Sequence, residues 1–386
     1  MVRLDREAPG RTLPLIIASV MMLVTLAIDV VLPALPAIGR SLAIESDNDR
    51  QWIIGAFMLG FALSQAGIGP LSDAWGRRRL LLFSLCAYAL LGLAAAAAQD
   101  LETMLSLRAA QGAAGGMTRV LITAMVRDLY AGSRMARVMS LATTAFIIAP
   151  ILGPTLGALI LTVGSWRWIF VGLAGFGGIA LFIVYRQLPE TLAPLDRRPL
   201  SPGSFLATIR HVCREPQSAC FTVALTFRFA SQFTFLLTVQ QIFEHVWHRE
   251  ELLAPVLGGI AIVIALGAFA NAQFVTRFGL MRIASYATTS LLLLCLVQLA
   301  IVLDGGFTLL LFTLFQAVIS ALTSICNATF QALAMEHMGG SAGTASSLQA
   351  STSMLGGTVL AGWAGQAFDG TLVPYATALA LFASGA

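Results

Sequence analysis

Twelve stretches of predominantly apolar residues run through this chain of 386 residues, at 13–37, 52–71, 80–98, 102–126, 138–163, 168–188, 218–243, 252–276, 283–303, 306–330, 342–366 and 372–386. A helix needs about 20 such residues to cross a bilayer at about 1.5 Å rise per residue. Inside hydrocarbon each backbone N–H and C=O must find a partner within the protein, so runs of this length point to an all-α membrane protein with twelve transmembrane helices. Only 11% of the residues are charged, against about a quarter in soluble proteins, which excludes a water-soluble globule. The last run has 15 residues; either it is cut short or it spans poorly. The first follows Arg3, Arg6 and Arg11, is too long for the core of a cleaved signal and lacks an A-x-A site.

Charge orders the ends of these runs. All 23 basic residues are arginine, and lysine does not occur. With the N-terminus in the cytoplasm, the alternation of spans puts Arg40, Arg50, Arg167 and Arg249 outside, leaves Arg108, Arg119 and Arg228 within spans, and retains the remaining 16 inside. That is the bias the positive-inside rule requires, and an error of one in the span count would scramble it. The absence of lysine removes a Walker A loop and Schiff-base chemistry. Cys86, Cys213, Cys220, Cys295 and Cys326 form no CxxC pair, and His211, His245, His248 and His337 form no HExxH pattern, so neither a metal nor another cofactor is expected. No nucleophile with its base is visible, so the chain does not read as an enzyme. No basic stripe interleaved with aromatics suggests nucleic acid.

The longest polar interruption runs over 189–217 with five prolines. It divides the chain into an N-terminal six-helix half (1–188), a cytoplasmic linker and a C-terminal six-helix half (218–386). GPLSDAWGRRRL at 69–80 aligns without gaps to AQFVTRFGLMRI at 272–283, with Gly76 on Gly279 and Arg79 on Arg282. Parallel halves repeated about an axis along the membrane normal are the architecture of the major facilitator fold.

Gly69-Pro-Leu-Ser-Asp73-Ala-Trp-Gly76-Arg77-Arg78-Arg79 resembles the loop between helices two and three of the major facilitator superfamily, with Ala74 where that family usually carries a basic residue. Arg108-Ala-Ala-Gln111-Gly112 and Ala149-Pro150-Ile-Leu-Gly153-Pro154-Thr-Leu-Gly157-Ala158 resemble the fourth- and fifth-helix motifs of drug/proton antiporters, the latter with Ala158 replacing a glycine. Ile28-Asp29-Val-Val-Leu-Pro33-Ala-Leu-Pro36 and Val126-Arg127-Asp128-Leu129-Tyr130 are similar to the Bcr/CflA group of drug exporters. The resemblance implies a multidrug efflux antiporter of a bacterial inner membrane, exchanging small amphipathic antibiotics or dyes for protons by alternating access, as a monomer. It also implies a gate network of Asp73, Arg77 and Asp128 that holds the outward-open state, and an antiporter role for Gly153, Pro154 and Gly157. An exporter of one metabolite, such as an amino acid, or a receptor-like membrane protein that does not transport are the other readings.

Asp29 is the one carboxylate deep within a span, and an ionisable residue at such depth marks a functional site. It lies seven residues before Pro36, and Arg108 lies six after Glu102, so each sits roughly 10 Å below the same membrane boundary and the two are expected to meet. Asp29 would alternate between protonated and ionised forms; a permanent Asp29–Arg108 ion pair that fixes packing is the alternative. Pro33 lacks the N–H that would bond the carbonyl of Asp29, four residues earlier, which leaves that carbonyl free to bind water or substrate. Arg119 lies nearer the inner end of its helix, where its guanidinium can snorkel to the interface. Arg228, Phe229, Gln232 and Phe233 on helix seven, with Gln316, Asn327 and Gln349 on helices ten and eleven, are candidates for an adaptable pocket. One acid against three bases within the spans predicts a cavity that disfavours multiply charged cations and favours neutral, zwitterionic or anionic compounds.

Overall fold

The computed structural model describes residues 13–130, 132–192, 197, 210, 212, 214–336 and 342–386. Of the residues named above, Arg3, Arg6, Arg11, His211, Cys213 and His337 lie outside this set, as does most of the expected linker. Among the described residues the chain is all-helical. The long helices are α1 (Leu13–Asp29), α2 (Trp52–Trp75), α3 (Arg77–Ala96), α4 (Leu101–Leu129), α5 (Gly132–Val163), α6 (Arg167–Gln187), α7 (Pro216–Gln241), α8 (Leu253–Phe278), α9 (Leu280–Leu303), α10 (Leu309–Met335), α11 (Ala342–Gln366) and α12 (Val373–Ser384). Each expected apolar run falls on one of them. Eight, some with short helical continuations, are long and apolar enough to cross a membrane by length and composition. The other four differ: Gly, Ser, Thr and Gln dilute α4 and α11, α12 has 12 residues, and the apolar part of α5 runs over Ile148–Val163.

Local chemistry sets the helix ends. Helix α1 stops at Asp29, four residues before Pro33, and the chain continues through a 3-10 turn (Leu32–Ala34) and a short helix (Leu35–Ser41). Asp100 caps α4, accepting the Thr103 N–H at 2.8 Å and its hydroxyl at 2.9 Å. These two bonds hold its carboxyl below the usual carboxylate range. Gly76 and Gly279 separate α2 from α3 and α8 from α9 at φ of 93° and 81°. Each donates its N–H to the residue four earlier, Ser72 and Val275 respectively. The two positions aligned by sequence therefore share one left-handed turn that a side chain would strain. Helix α5 passes through Pro150 and Pro154 without interruption.

The packing of the first six helices recurs in the last six. Helix pairs α1·α5, α2·α4, α3·α4 and α3·α6 are matched by α7·α11, α8·α10, α9·α10 and α9·α12. Between these groups, α2 packs on α11 and α5 on α8, contacts that exchange with each other when six is added to or taken from each helix number. Glycine permits the closest approach: a Cβ at Gly112 of α4 would overlap the backbone of Phe57 in α2. Large apolar side chains such as Leu63, Phe83, Phe182, Leu266, Phe269 and Leu310 point outward and are mostly exposed. An apolar exterior of this extent suits hydrocarbon and not water.

Candidate functional site

A cavity of about 320 Å³ lies where the two helix groups meet. Helices α1, α2, α4 and α5 contribute Thr25, Ile28, Asp29, Met58, Phe61, Arg119 and Pro150 to its wall. From the other side come Phe229, Gln232, Phe233 and Leu236 of α7, Leu257 and Ile260 of α8, and Met354 of α11. Phe229 and Phe233, one turn apart, stack with ring centroids 5.5 Å apart. The volume is at the lower end of the range of small-molecule sites, and the wall is mostly apolar with a few polar groups, as such sites are.

Asp29 closes α1 on this wall. It is 4% exposed, and its Oδ2 has no hydrogen-bond partner, nor does Oγ1 of Thr25 one turn earlier. Helix α5 holds it from behind: a Cβ at Gly153 would overlap the Cβ and backbone of Asp29, and one at Gly157 would overlap the carbonyl of Val30 and the ring of Pro33. Pro154 sits between these glycines on α5. The antiporter-like motif is therefore the surface that seats the buried carboxylate.

The expected meeting of Asp29 and Arg108 does not occur. Arg108 is fully buried outside the cavity wall, donating Nη2 to the Ala27 carbonyl at 2.9 Å, Nε to the Ile53 carbonyl at 3.2 Å and Nη1 to Gln111 Oε1 at 2.8 Å. Its guanidinium also stacks 4.4 Å from the Phe57 ring centroid. Carbonyls exposed between α1 and α2 replace a carboxylate as its acceptors. Equal depth brought Arg108 to the level of Asp29, but its side chain enters the seam between helices. Arg119, whose guanidinium can reach the interface from its depth on the helix, lines the cavity, with its guanidinium 5.7 Å from the Phe61 ring.

Helix α7 divides its candidates by azimuth. Phe229, Gln232 and Phe233 face the cavity, whereas Arg228 turns into the bundle and donates Nη2 to the Phe382 carbonyl of α12 at 2.8 Å. Its Nε and Nη1 are buried without partners. Gln316, Asn327 and Gln349 are also absent from the cavity wall. Gln316 donates to Ser320 and accepts from the Tyr375 hydroxyl, Gln349 donates to Thr222 Oγ1 at 3.0 Å, and Asn327 Oδ1 is buried unpaired. With Arg108 and Arg228 away from the wall, the formal excess of positive charge expected in the cavity disappears. The wall carries one acid and one base.

At the Gly76 end of the bundle, Arg77 joins the three expected gate residues, pairing with Asp73 at 3.3 Å and with Asp128. Two partners were not anticipated. Glu190 accepts the backbone N–H groups of Arg77 at 3.1 Å and Arg78 at 3.2 Å, capping α3 from beyond the end of α6. Thr191 donates its hydroxyl to Asp128 at 2.9 Å. All five residues belong to the first six helices or the segment directly after them, so this network braces one group of helices and does not bridge the two.

The opposite end is bridged. Gln51 at the start of α2 donates to Gln241 Oε1 and to the Gly365 carbonyl, and Asn48 donates to the carbonyls of Gln366 and Phe368 at 3.1 and 2.9 Å. Gln366 returns a bond to the Asn48 carbonyl at 2.9 Å. Beyond α7 a π-helical turn (Ile242–Val246) sets Glu244 3.3 Å from Arg50 and His245 3.0 Å from Asp47. Sequence pattern carries no signal for this seam, because its members lie up to 320 residues apart.

The sequence profile of the Major Facilitator Superfamily matches residues 17–361. An uncharacterized MFS-type transporter, YdgK, of Bacillus subtilis (strain 168) is 28% identical over 87% of this chain and 84% of its own length. A bicyclomycin resistance protein homolog of Haemophilus influenzae is 26% identical over 68% of this chain and 67% of its own. Among solved structures, a D-xylose-proton symporter superposes with a TM-score of 0.75 at 13% identity, covering 97% of this chain and 96% of the other; at that identity the likeness shows the fold. The chain is a multi-pass membrane transporter belonging to the Major Facilitator Superfamily.

Proposed function

We propose that this transporter is a proton-coupled exporter of small amphipathic drugs working by alternating access, with its twelve helices crossing a bacterial cytoplasmic membrane. In this reading residues 1–188 and 218–386 form two halves joined by a cytoplasmic linker, and the N-terminus and the Gly76 end face the cytoplasm. The recurrence of helix pairs with an offset of six supports two halves. The excess of arginine at the Gly76 end supports the orientation. The bicyclomycin resistance relative supports a drug as cargo. One chain encloses the cavity, so a monomer suffices.

The observation that carries this reading is Asp29, a buried carboxylate with an unpartnered oxygen on the wall of a cavity between the two helix groups. Without a permanent counter-ion, its charge is free to be exchanged for a proton from one side and a substrate contact from the other. The seam at the Asn48 end then closes the external side, so the conformation faces inward. Asp73, Arg77 and Asp128 form their network in this conformation too, as a brace within one half. The test is flux in reconstituted vesicles under an imposed pH gradient. Wild-type protein should move drug in proportion to the gradient and Asp29→Asn should not; wild-type flux indifferent to the gradient overturns the reading.

A further inference from the structure

The two helix groups reach the cavity through corresponding positions. A Cβ on Gly153 of α5 would overlap the Cβ of Asp29 and come within 3.1 Å of its carbonyl carbon and 3.2 Å of the Val30 nitrogen. In the other group, a Cβ on Gly357 of α11 would lie 2.6 Å from the Cβ of Phe229, 3.0 Å from its carbonyl carbon and 3.0 Å from the Ala230 nitrogen. The same three atoms face the same glycine, and the helices concerned, α1 with α5 and α7 with α11, are counterparts six apart. Phe229 therefore holds in the second group the seat that Asp29 holds in the first. Three residues before these glycines, Pro150 corresponds to Met354. The ungapped alignment of 69–80 with 272–283, continued back along α2 and α8, carries Phe61 onto Ile264. Both members of each of these three pairs line the cavity, which lies across the repeat.

The chemistry of the two seats differs. Asp29 is the single carboxylate on the cavity wall and has an oxygen without a partner, whereas Phe229 cannot ionise and stacks on Phe233. Pro33 follows Asp29 by four residues and α1 stops, but Phe233 follows Phe229 by four and α7 continues to Gln241. We propose that Phe229 is a specificity-determining residue: it silences the second of two equivalent carboxylate seats and so limits the cavity to one exchangeable proton. Two carboxylates in one cavity would repel each other, and their protons would leave in two coupled steps. A phenyl ring in the second seat leaves Asp29 to exchange its proton alone and offers cargo an apolar surface on the other wall. This inference rests on Asp29 being the proton site proposed above, and it adds how many protons that site exchanges.

The first measurement uses wild-type protein in vesicles with the membrane potential clamped at zero. The steady ratio of ethidium, a monocationic dye, should change about tenfold per pH unit across the membrane, which is one proton for each dye; about a hundredfold means two protons and overturns the proposal. The second moves the carboxylate between seats. Asp29→Asn should lose gradient-driven flux and, in infrared difference spectra recorded as pH changes, the carbonyl band of the protonated carboxyl group. Adding Phe229→Asp to Asp29→Asn should restore both, and adding Phe229→Asn, which has the same shape without the charge, should restore neither. Where wild-type flux follows the gradient, an Asp29→Asn, Phe229→Asp protein that melts like the wild type but recovers no flux overturns the equivalence of the seats. The wild-type ratio decides the proton number even if that double variant does not fold. Wild-type flux that ignores the gradient removes the antiport reading; return of the infrared band in the double variant then leaves this inference standing, and failure of the band to return removes both.

Discussion

Gly153 of α5 lies against Asp29 of α1 so closely that a single added methyl would overlap the aspartate's own Cβ and backbone. The atom that must yield is the Asp29 Cβ, which is fixed to the main chain, and it belongs to the last turn of α1, where that helix breaks ahead of Pro33. Gly157, one turn on, meets Val30 and Pro33 in the same way. The seat of the buried carboxylate is thus made by what α5 lacks.

Gly153→Ala should therefore displace Asp29 relative to the cavity. Overpacking of this kind costs about 1–3 kcal/mol. A lower Tm of the purified protein together with a larger loss of drug efflux than at an equally buried glycine away from α1 is the expected outcome. Normal efflux and normal Tm would show that α5 can move away without consequence.

Arg108 and Asp29 make opposite predictions for stability. Arg108 satisfies Ala27, Ile53 and Gln111 at once, and a lysine ammonium cannot reproduce that fork. Arg108→Lys should lower Tm, leaving buried acceptors unmet at about 1–3 kcal/mol each. Asp29→Asn removes a buried charge that has no ion-pair partner, so Tm should hold or rise while gradient-driven flux is lost. A marked fall in Tm for Asp29→Asn would point to a partner that this conformation does not contain.

What was readable in the sequence follows from what one dimension can encode. Apolar runs report depth along a membrane normal, and the spans and the level of Asp29 and Arg108 came from that. Azimuth is harder. A step of one residue rotates a side chain by about 100° around a helix, which is why Phe229, Gln232 and Phe233 reach the cavity while Arg228 is buried against α12. The i, i+3, i+4 spacing grouped the first three correctly, but nothing in it said which side faced the cavity, and Gln316, Asn327 and Gln349 were misplaced for that reason. The depth of Arg119 is compatible with both the interface and the cavity, so depth alone leaves its place open. Glu190 was invisible for another reason: its partners are backbone N–H groups at Arg77 and Arg78, and main-chain donors leave no residue pattern to detect.

Glu190 yields a separate prediction. Its carboxylate fills the role of a cap at the start of α3, where free N–H groups and the helix dipole favour negative charge. Glu190→Gln keeps the shape and removes the charge, and it should cost about 1 kcal/mol, within the range for a lost helix cap. Thr191→Ala should act on the same network through Asp128, so the two changes together should destabilise by less than their sum. Strict additivity in thermal melting would mean that Glu190 and Thr191 act on separate elements.

The seam at the Asn48 end must part if the transporter is to open there, and its strength should set how often it does. Gln51 binds both Gln241 and the Gly365 carbonyl, and it is almost completely buried. Gln51→Ala removes both bonds at once and leaves the Gln241 Oε1 without a donor in the closed form, at about 1–3 kcal/mol, while the Gly365 carbonyl keeps the N–H of Phe368. In the parted form water can reach the same groups, so the loss falls mainly on the closed state and the equilibrium shifts toward opening. A shift of about 1.4 kcal/mol corresponds to a tenfold change in the ratio of the two states. The readout is labelling of a cysteine placed at Met58, which lines the cavity, by a membrane-impermeant thiol reagent added from the Asn48 side. Labelling should be about tenfold or more faster in the Gln51→Ala background, and Arg50→Ala, which removes the link to Glu244, should act in the same direction. Equal labelling rates with and without Gln51 would mean that the seam is carried by the Asn48 bonds to Gln366 and Phe368, and that the buried glutamine pair serves only to fill the interface.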